Sequence, residues 1–293
     1  MSSFETKATI RSFGGKLFKL THPSPTTTTP MALNLYLPPA ALTTPPSRVP
    51  VLIYLSGLTC TPDNCTEKGF FQSPASRLGL AVLYPDTSPR GLDIPGSKDA
   101  YDFGEAASFY LDATVPPYSA AYKMETYLTS ELPSLLFSDA EFGPYLDGDR
   151  VSITGHSMGG HGALTLYLRH PGMYQSCSAF APIVNPTECA WGVKAFRGYL
   201  GKEREAWKEH DAAELVRRLE RGKELRVLVD QGKGDQFYKE GQLRTEELEF
   251  AVAVAGVKGV EVRYQEGYDH SYFFMATFSE EHVEFAAKAL GLL

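Results

Sequence analysis

Apolar residues along this chain come in short runs separated by polar, Gly- and Pro-rich stretches. Val51-Leu52-Ile53-Tyr54-Leu55 is continuous and apolar, as in a strand covered on both faces of a parallel sheet. Met31, Leu33, Leu35 and Leu37 alternate with other residues, which predicts a strand over 31–37, preceded by another over 16–20. Further strands are expected at 81–84, 151–154, 176–180, 225–229 and 260–264. Helical stretches are expected at 124–137, 160–169, 194–219, 243–254 and 280–290. Pro133 predicts a kink or an early break in the first of these. The Pro/Thr-rich segment His22–Pro30 reads as a long exposed hairpin tip, and 38–50 as another Pro-rich connection. Residues 85–117 read as irregular, with Tyr101, Phe103, Phe109 and Tyr110 serving as core or pocket wall.

Strands and helices alternate, so the expectation is an α/β fold with a mostly parallel central sheet and helices on both faces. No internal repeat or linker divides the chain, and a single domain over 1–293 is the economical reading. Sites in such sheets form beyond the carboxyl ends of the strands. Four strand-to-helix loops are therefore expected to converge there, those carrying Leu58, Ser157, Asp235 and His270.

The loop at residue 157 is the most informative. Val151-Ser152-Ile153-Thr154 runs into Gly155-His156-Ser157-Met158-Gly159, and a helix-compatible stretch follows. Strand, sharp turn and helix with a serine at the tip is the context of a G-x-S-x-G nucleophile elbow. A serine hydroxyl needs a base, and the base needs an orienting acid; in this architecture they follow in the order Ser, Asp/Glu, His. Of seven histidines, His156 and His161 are too near Ser157 to curl back and are expected to pack or hydrogen-bond around the elbow. His22 lies in the Pro/Thr loop. His170, His210 and His282 fall on or near amphipathic helices as solvated or capping residues. That leaves His270, between the last strand and the last helix, as the base. Asp235, on a loop, is favoured as the acid. Asp230 ends its strand and is expected to bond its own turn. Asp269 is excluded because adjacent residues point apart. The oxyanion hole is expected from the backbone N–H groups of Met158 and Leu58. Cys60 and Trp191 are possible pocket residues. Cys65 reads as a small buried hydrophobe. A thiol at Cys60 so near the predicted oxyanion donor could make the site sensitive to thiol reagents or a soft metal.

Composition narrows the classes. With a net charge of −7 and no basic run, nucleic acid is not an expected partner. Four cysteines without C-x-x-C spacing indicate neither a disulfide framework nor a metal site, and no metal or cofactor is expected. No basic-then-apolar leader and no run long enough to span a bilayer is evident, so a cytoplasmic setting without membrane association is expected.

Five longer stretches carry a resemblance: Leu55–Thr61, Pro85–Gly91, Gly155–Leu164, Asp230–Asp235 and Gln265–Tyr272. Together the chain from about residue 16 onward resembles the S-formylglutathione hydrolase (esterase D) family. The resemblance implies an α/β-hydrolase fold and hydrolysis of S-formylglutathione to glutathione and formate in formaldehyde detoxification. It also implies activity on small-acyl esters, a cytoplasmic setting and a homodimer. The family's triad falls on Ser157, Asp235 and His270, and its oxyanion donors on Leu58 and Met158. Segments 22–30 and 40–48 look longer and richer in Pro and Thr than the family pattern. The alternative activity is that of a general short-acyl carboxylesterase.

Overall fold

The computed structural model describes residues 2–293. Nine strands form one sheet: β1 (Glu5–Ser12), β2 (Gly15–Pro23), β3 (Pro30–Leu37), β4 (Val49–Leu55), β5 (Ala81–Pro85), β6 (Leu146–His156), β7 (Cys177–Phe180), β8 (Glu224–Gly232) and β9 (Lys258–Gln265). Their spatial order is β1-β2-β3-β5-β4-β6-β7-β8-β9. The first three strands and β5 pair antiparallel, and all pairs from β5 to β9 are parallel. The middle of the parallel part is covered on both sides, which is why every residue of β4 and of β7 is buried, while the edge strand β9 has no buried residue. The helix Met158–Arg169 lies over β4, β6 and β7 with Ala212–Arg217 beside it. The helix Tyr272–Ala289 lies over β6, β7 and β8 with Pro62–Lys68 and Gln72–Leu78 beside it. One connected apolar core runs from Phe4 to Leu290. No helix among the described residues is long and apolar enough to cross a membrane.

The expected elements recur, with informative departures. β1 is an added strand. Its residues alternate no apolar face, because almost all are exposed at the sheet edge. It exists through its hairpin with β2, closed by Phe13 and Gly14, both at positive φ as a tight two-residue turn requires. The segment between β2 and β3 is not an exposed tip. Ser24, Thr27 and Thr29 are buried, and Glu131 accepts hydrogen bonds from Ser24 Oγ and Thr26 N. His22 is part of β2 and bonds Tyr127 Oη at 2.9 Å.

The helix expected at 124–137 forms with a widened π turn, Tyr127–Glu131, just before Leu132–Ser138. Pro133 has no N–H to give to the preceding turn, and widening absorbs the lost bond without breaking the helix. The last helix begins at Tyr272, eight residues earlier than its apolar pattern indicates, because Ser271 caps it by accepting from Phe273 N.

Candidate active site

The elbow is built by close backbone approach. A methyl group on Gly155 would overlap the Gly159 carbonyl, and one on Gly159 would overlap the Leu55 carbonyl. Only glycine lets β6 turn this sharply into the helix beside β4. Ser157 pays the conformational cost at φ 59° and ψ −120°, a region that L residues rarely occupy. Its N–H donates to Phe180 O at 2.9 Å, which anchors the turn to β7.

Asp235 follows β8 and is fully buried. Its two oxygens are divided by function. Oδ1 accepts from Phe237 N (2.8 Å) and Tyr238 N (3.3 Å), capping a short helix. Oδ2 accepts from His270 Nδ1 at 2.5 Å and from Gln231 Nε2 at 3.4 Å. A carboxylate only accepts, so the His270 proton sits on Nδ1 and Nε2 is left with a lone pair. The ring is wedged between Phe237, edge-on at 4.9 Å, and His156 at 4.5 Å between centroids.

Ser157 and His270 line the same pocket, of about 190 Å³, with Gly57, Leu58, Thr59, Cys60, Tyr101, His156, Trp191, Phe237 and Tyr272.

Leu58 lines the same pocket, and Met158 follows Ser157 in the chain. Around Leu58, the neighbouring N–H groups of Thr59 and Cys60 are committed to Ala106 O and Gly57 O. The N–H groups of Leu58 and of Met158, at the start of the elbow helix, have no partner among the described residues. Two free donors beside a serine can receive the charge of a tetrahedral oxyanion. The arrangement can therefore do acyl transfer: the Ser157 hydroxyl and His270 imidazole share the cavity, the buried Asp235 carboxylate holds the imidazole, and the unbonded N–H groups belong to Leu58, which lines the same pocket, and Met158, which follows Ser157 in the chain.

The remaining histidines divide sharply. His161 is buried and bonds Phe109 O at 3.2 Å, and burial pulls it down to about 4. His156 is buried with neither ring nitrogen bonded; burial, then the neighbouring His270, push it well below the usual imidazole range. It is a neutral wall of the pocket. His170 bonds Glu125 at 2.9 Å as a half-buried surface residue. His282 is not solvated. It stacks on Phe180 at 3.7 Å and bonds Asp230 at 2.9 Å, fully buried.

Asp230 consequently does not bond its own turn. It lies inside β8, where His282, Arg263 and Gln265 surround it. Burial alone would raise its carboxyl, but these partners together hold it down at about 2.

Trp191 and Cys60 both reach the pocket. Trp191 Nε1 donates to Tyr101 Oη at 3.1 Å, and the Cys60 thiol lies 3.8 Å from Tyr272 Oη. Burial pushes the Cys60 thiol up, away from thiolate. Cys65 is fully buried, and all four cysteines are free. No three His, Cys, Asp or Glu side chains among the described residues are grouped to hold a metal ion. Tyr272, Phe237 and His156 were not assigned to the pocket by sequence reasoning. Their adjacency to His270, Asp235 and Ser157 is the signal that could have found them.

A family model described as "Putative esterase" matches residues 24–285. The S-formylglutathione hydrolase of Mus musculus is 47% identical over 283 residues, covering 96% of each chain. That of Paracoccus denitrificans is 46% identical over 289 residues, covering 99% of each. The solved S-formylglutathione hydrolase of Agrobacterium tumefaciens superposes with a TM-score of 0.91 at 43% identity, covering 99% of this chain and all of that one. A ferulic acid esterase, 19% identical with a TM-score of 0.72, shares the fold. By this similarity along nearly its whole length, the chain belongs to the S-formylglutathione hydrolase family of esterases.

Proposed function

We propose that this chain is a serine thioesterase that hydrolyses S-formylglutathione to glutathione and formate. The observation that carries the reading is His270, held by the buried Asp235 at 2.5 Å and sharing one small cavity with the strained Ser157. Ser157 Oγ attacks the formyl carbon while His270 Nε2 takes its proton. Asp235 holds the ring in the tautomer that can accept it and stabilises the imidazolium. The carbonyl oxygen, now an oxyanion, rests on the Leu58 and Met158 N–H groups. Collapse of the tetrahedral adduct breaks the C–S bond, and the thiol leaves with the proton from His270. Water then gives its proton to His270 and attacks the formyl-enzyme, releasing formate and restoring Ser157.

With the formyl group in the cavity of about 190 Å³ at Ser157, the glutathione peptide extends outward from it. The chain acts as one folded unit, in the cytoplasm, as a homodimer. Ser157→Ala should lower turnover of S-formylglutathione at least 10³-fold; retained turnover would refute the mechanism. A general short-acyl carboxylesterase shares the same groups. The ratio of kcat/KM for S-formylglutathione to that for a short acetate ester separates the two, and a ratio below one favours the carboxylesterase.

A further inference from the structure

The stretch Pro85–Gly91 contributes no reacting group, yet its side chains converge on the loop that carries Leu58. Asp86 is buried and receives a forked pair from Arg90: Nε to Oδ2 and Nη2 to Oδ1, both 2.8 Å. Thr87 N donates to Asp86 Oδ1 at 2.7 Å and fixes that carboxylate further. The same Arg90 Nη2 donates to the carbonyl oxygen of Cys60 at 2.8 Å, and Thr87 Oγ1 donates to it at 2.7 Å. Cys60 lies two residues beyond Leu58.

The rest of the loop is held from the same side of the chain. Tyr110 Oη donates to Ser56 O at 2.7 Å, and Thr59 N donates to Ala106 O at 3.1 Å. Both ends of Ser56–Cys60, and Thr59 within it, are thus bonded to residues 86–110, while the Leu58 N–H has no partner among the described residues. Thr59 sits at φ 67°, in the left-handed region. A β-branched residue stays there only where its surroundings over-determine it. The fork matters because a guanidinium can hold a carboxylate and a carbonyl at fixed angles, which an ammonium cannot.

We infer that Asp86, Thr87 and Arg90 are positioning residues that keep the oxyanion loop in its working conformation. They act on the reaction through the Leu58 N–H and touch no substrate. The inference rests on the reading of Leu58 as an oxyanion donor. Removing one such donor costs about 10²–10³ in rate, and a misplacement of about 1 Å costs up to 10².

The test compares Thr87→Val, Arg90→Lys and the double variant with the parent enzyme. Active sites are counted by covalent labelling of Ser157 with an organophosphate, so that rates refer to folded protein. The double variant should lose about 10–100-fold in kcat per labelled site with KM changed less than about threefold. Affinity for an alkylboronic acid, which forms a tetrahedral adduct on the serine, should fall in step. Thr87→Val, which keeps the shape of the side chain, should show a smaller loss of the same kind, and it carries the test where the double variant does not fold. Unchanged kcat per site with a lowered melting temperature would overturn the inference and leave the motif a structural brace. A raised KM at unchanged kcat would overturn it as well. Ser157→Ala, assayed in parallel, keeps the two readings apart: turnover retained there refutes the triad itself, whereas turnover lost there and unchanged in the double variant refutes only the clamp.

Discussion

Replacing Asp235 by Asn tests the proposed chemistry without unfolding the site. The two carboxylate oxygens have different work. Oδ1 caps a helix by accepting from Phe237 N and Tyr238 N, and Oδ2 faces His270 Nδ1. An asparagine must place its amide nitrogen on one side or the other. On the capping side, the NH₂ would face two backbone donors. On the imidazole side it faces His270, and Gln231 Nε2 only at 3.4 Å. The capping arrangement therefore wins, and the NH₂ points at His270 Nδ1. That nitrogen then becomes the acceptor, the ring proton moves to Nε2, and the ring can no longer take a proton from Ser157.

The same replacement in a serine-protease triad lowers kcat by about 10⁴, equivalent to about 5–6 kcal/mol in the barrier. A loss of that order is expected here, with KM little changed, in a steady-state assay with S-formylglutathione at neutral pH. Because Asn is a good cap, the protein should melt near the parent temperature. Asp235→Ala should be equally inactive and in addition lose about 1 kcal/mol of stability with the cap. Turnover by Asp235→Asn within tenfold of the parent would refute the tautomer argument.

Gly159→Ala should destabilise the fold by about 3 kcal/mol or more, because its methyl would overlap the Leu55 carbonyl, a backbone atom that cannot swing aside. A near-normal denaturant midpoint would count against the close packing of the elbow. Stability should fall as pH drops from about 6.5 toward 4: buried His161 stays neutral down to about 4 while the unfolded chain takes up its proton near 6.5. His161→Gln should flatten the slope of unfolding free energy against pH in that window, and an unchanged slope would refute the assignment. Asp230 adds a second loss at lower pH, between about 3.8 and 2, where the unfolded carboxyl is protonated first. Alkylation of Cys60 by a bulky maleimide should be slow, since burial disfavours its thiolate, and should block turnover by filling the pocket. Full activity after stoichiometric labelling would contradict the placement of that thiol.

The elements with strong local signals are legible in the sequence itself. Val51–Leu55 is apolar throughout because both faces of its strand are covered, and that is visible in five residues. The elbow is legible because a strand, a G-x-S-x-G turn and a helix follow one another within a few residues, although Gly159 answers a steric demand from the distant Leu55 carbonyl. Reading Ser157, Asp235 and His270 as serine, acid and base rests on the chain order that such an elbow implies, and Asp235 and His270 are hydrogen-bonded in the fold. What stayed hidden depends on distant partners. β1 carries no apolar alternation, since an edge strand borrows its conformation from its neighbour's backbone. His282 looked like a helix-surface residue, yet it stacks on Phe180 and bonds Asp230, 102 and 52 positions away in the chain.

Sequence alone thus determined which groups are present and in what order they reach the sheet's working edge, because periodicity, glycine and proline act over a few residues. The tertiary structure decided which carboxylate faces His270, which backbone N–H groups are left without partners, and what braces the loop that offers one of them. Those outcomes turn on hydrogen bonds closed between segments tens of residues apart, and nothing in the local pattern of a chain encodes the partner that folding brings alongside it.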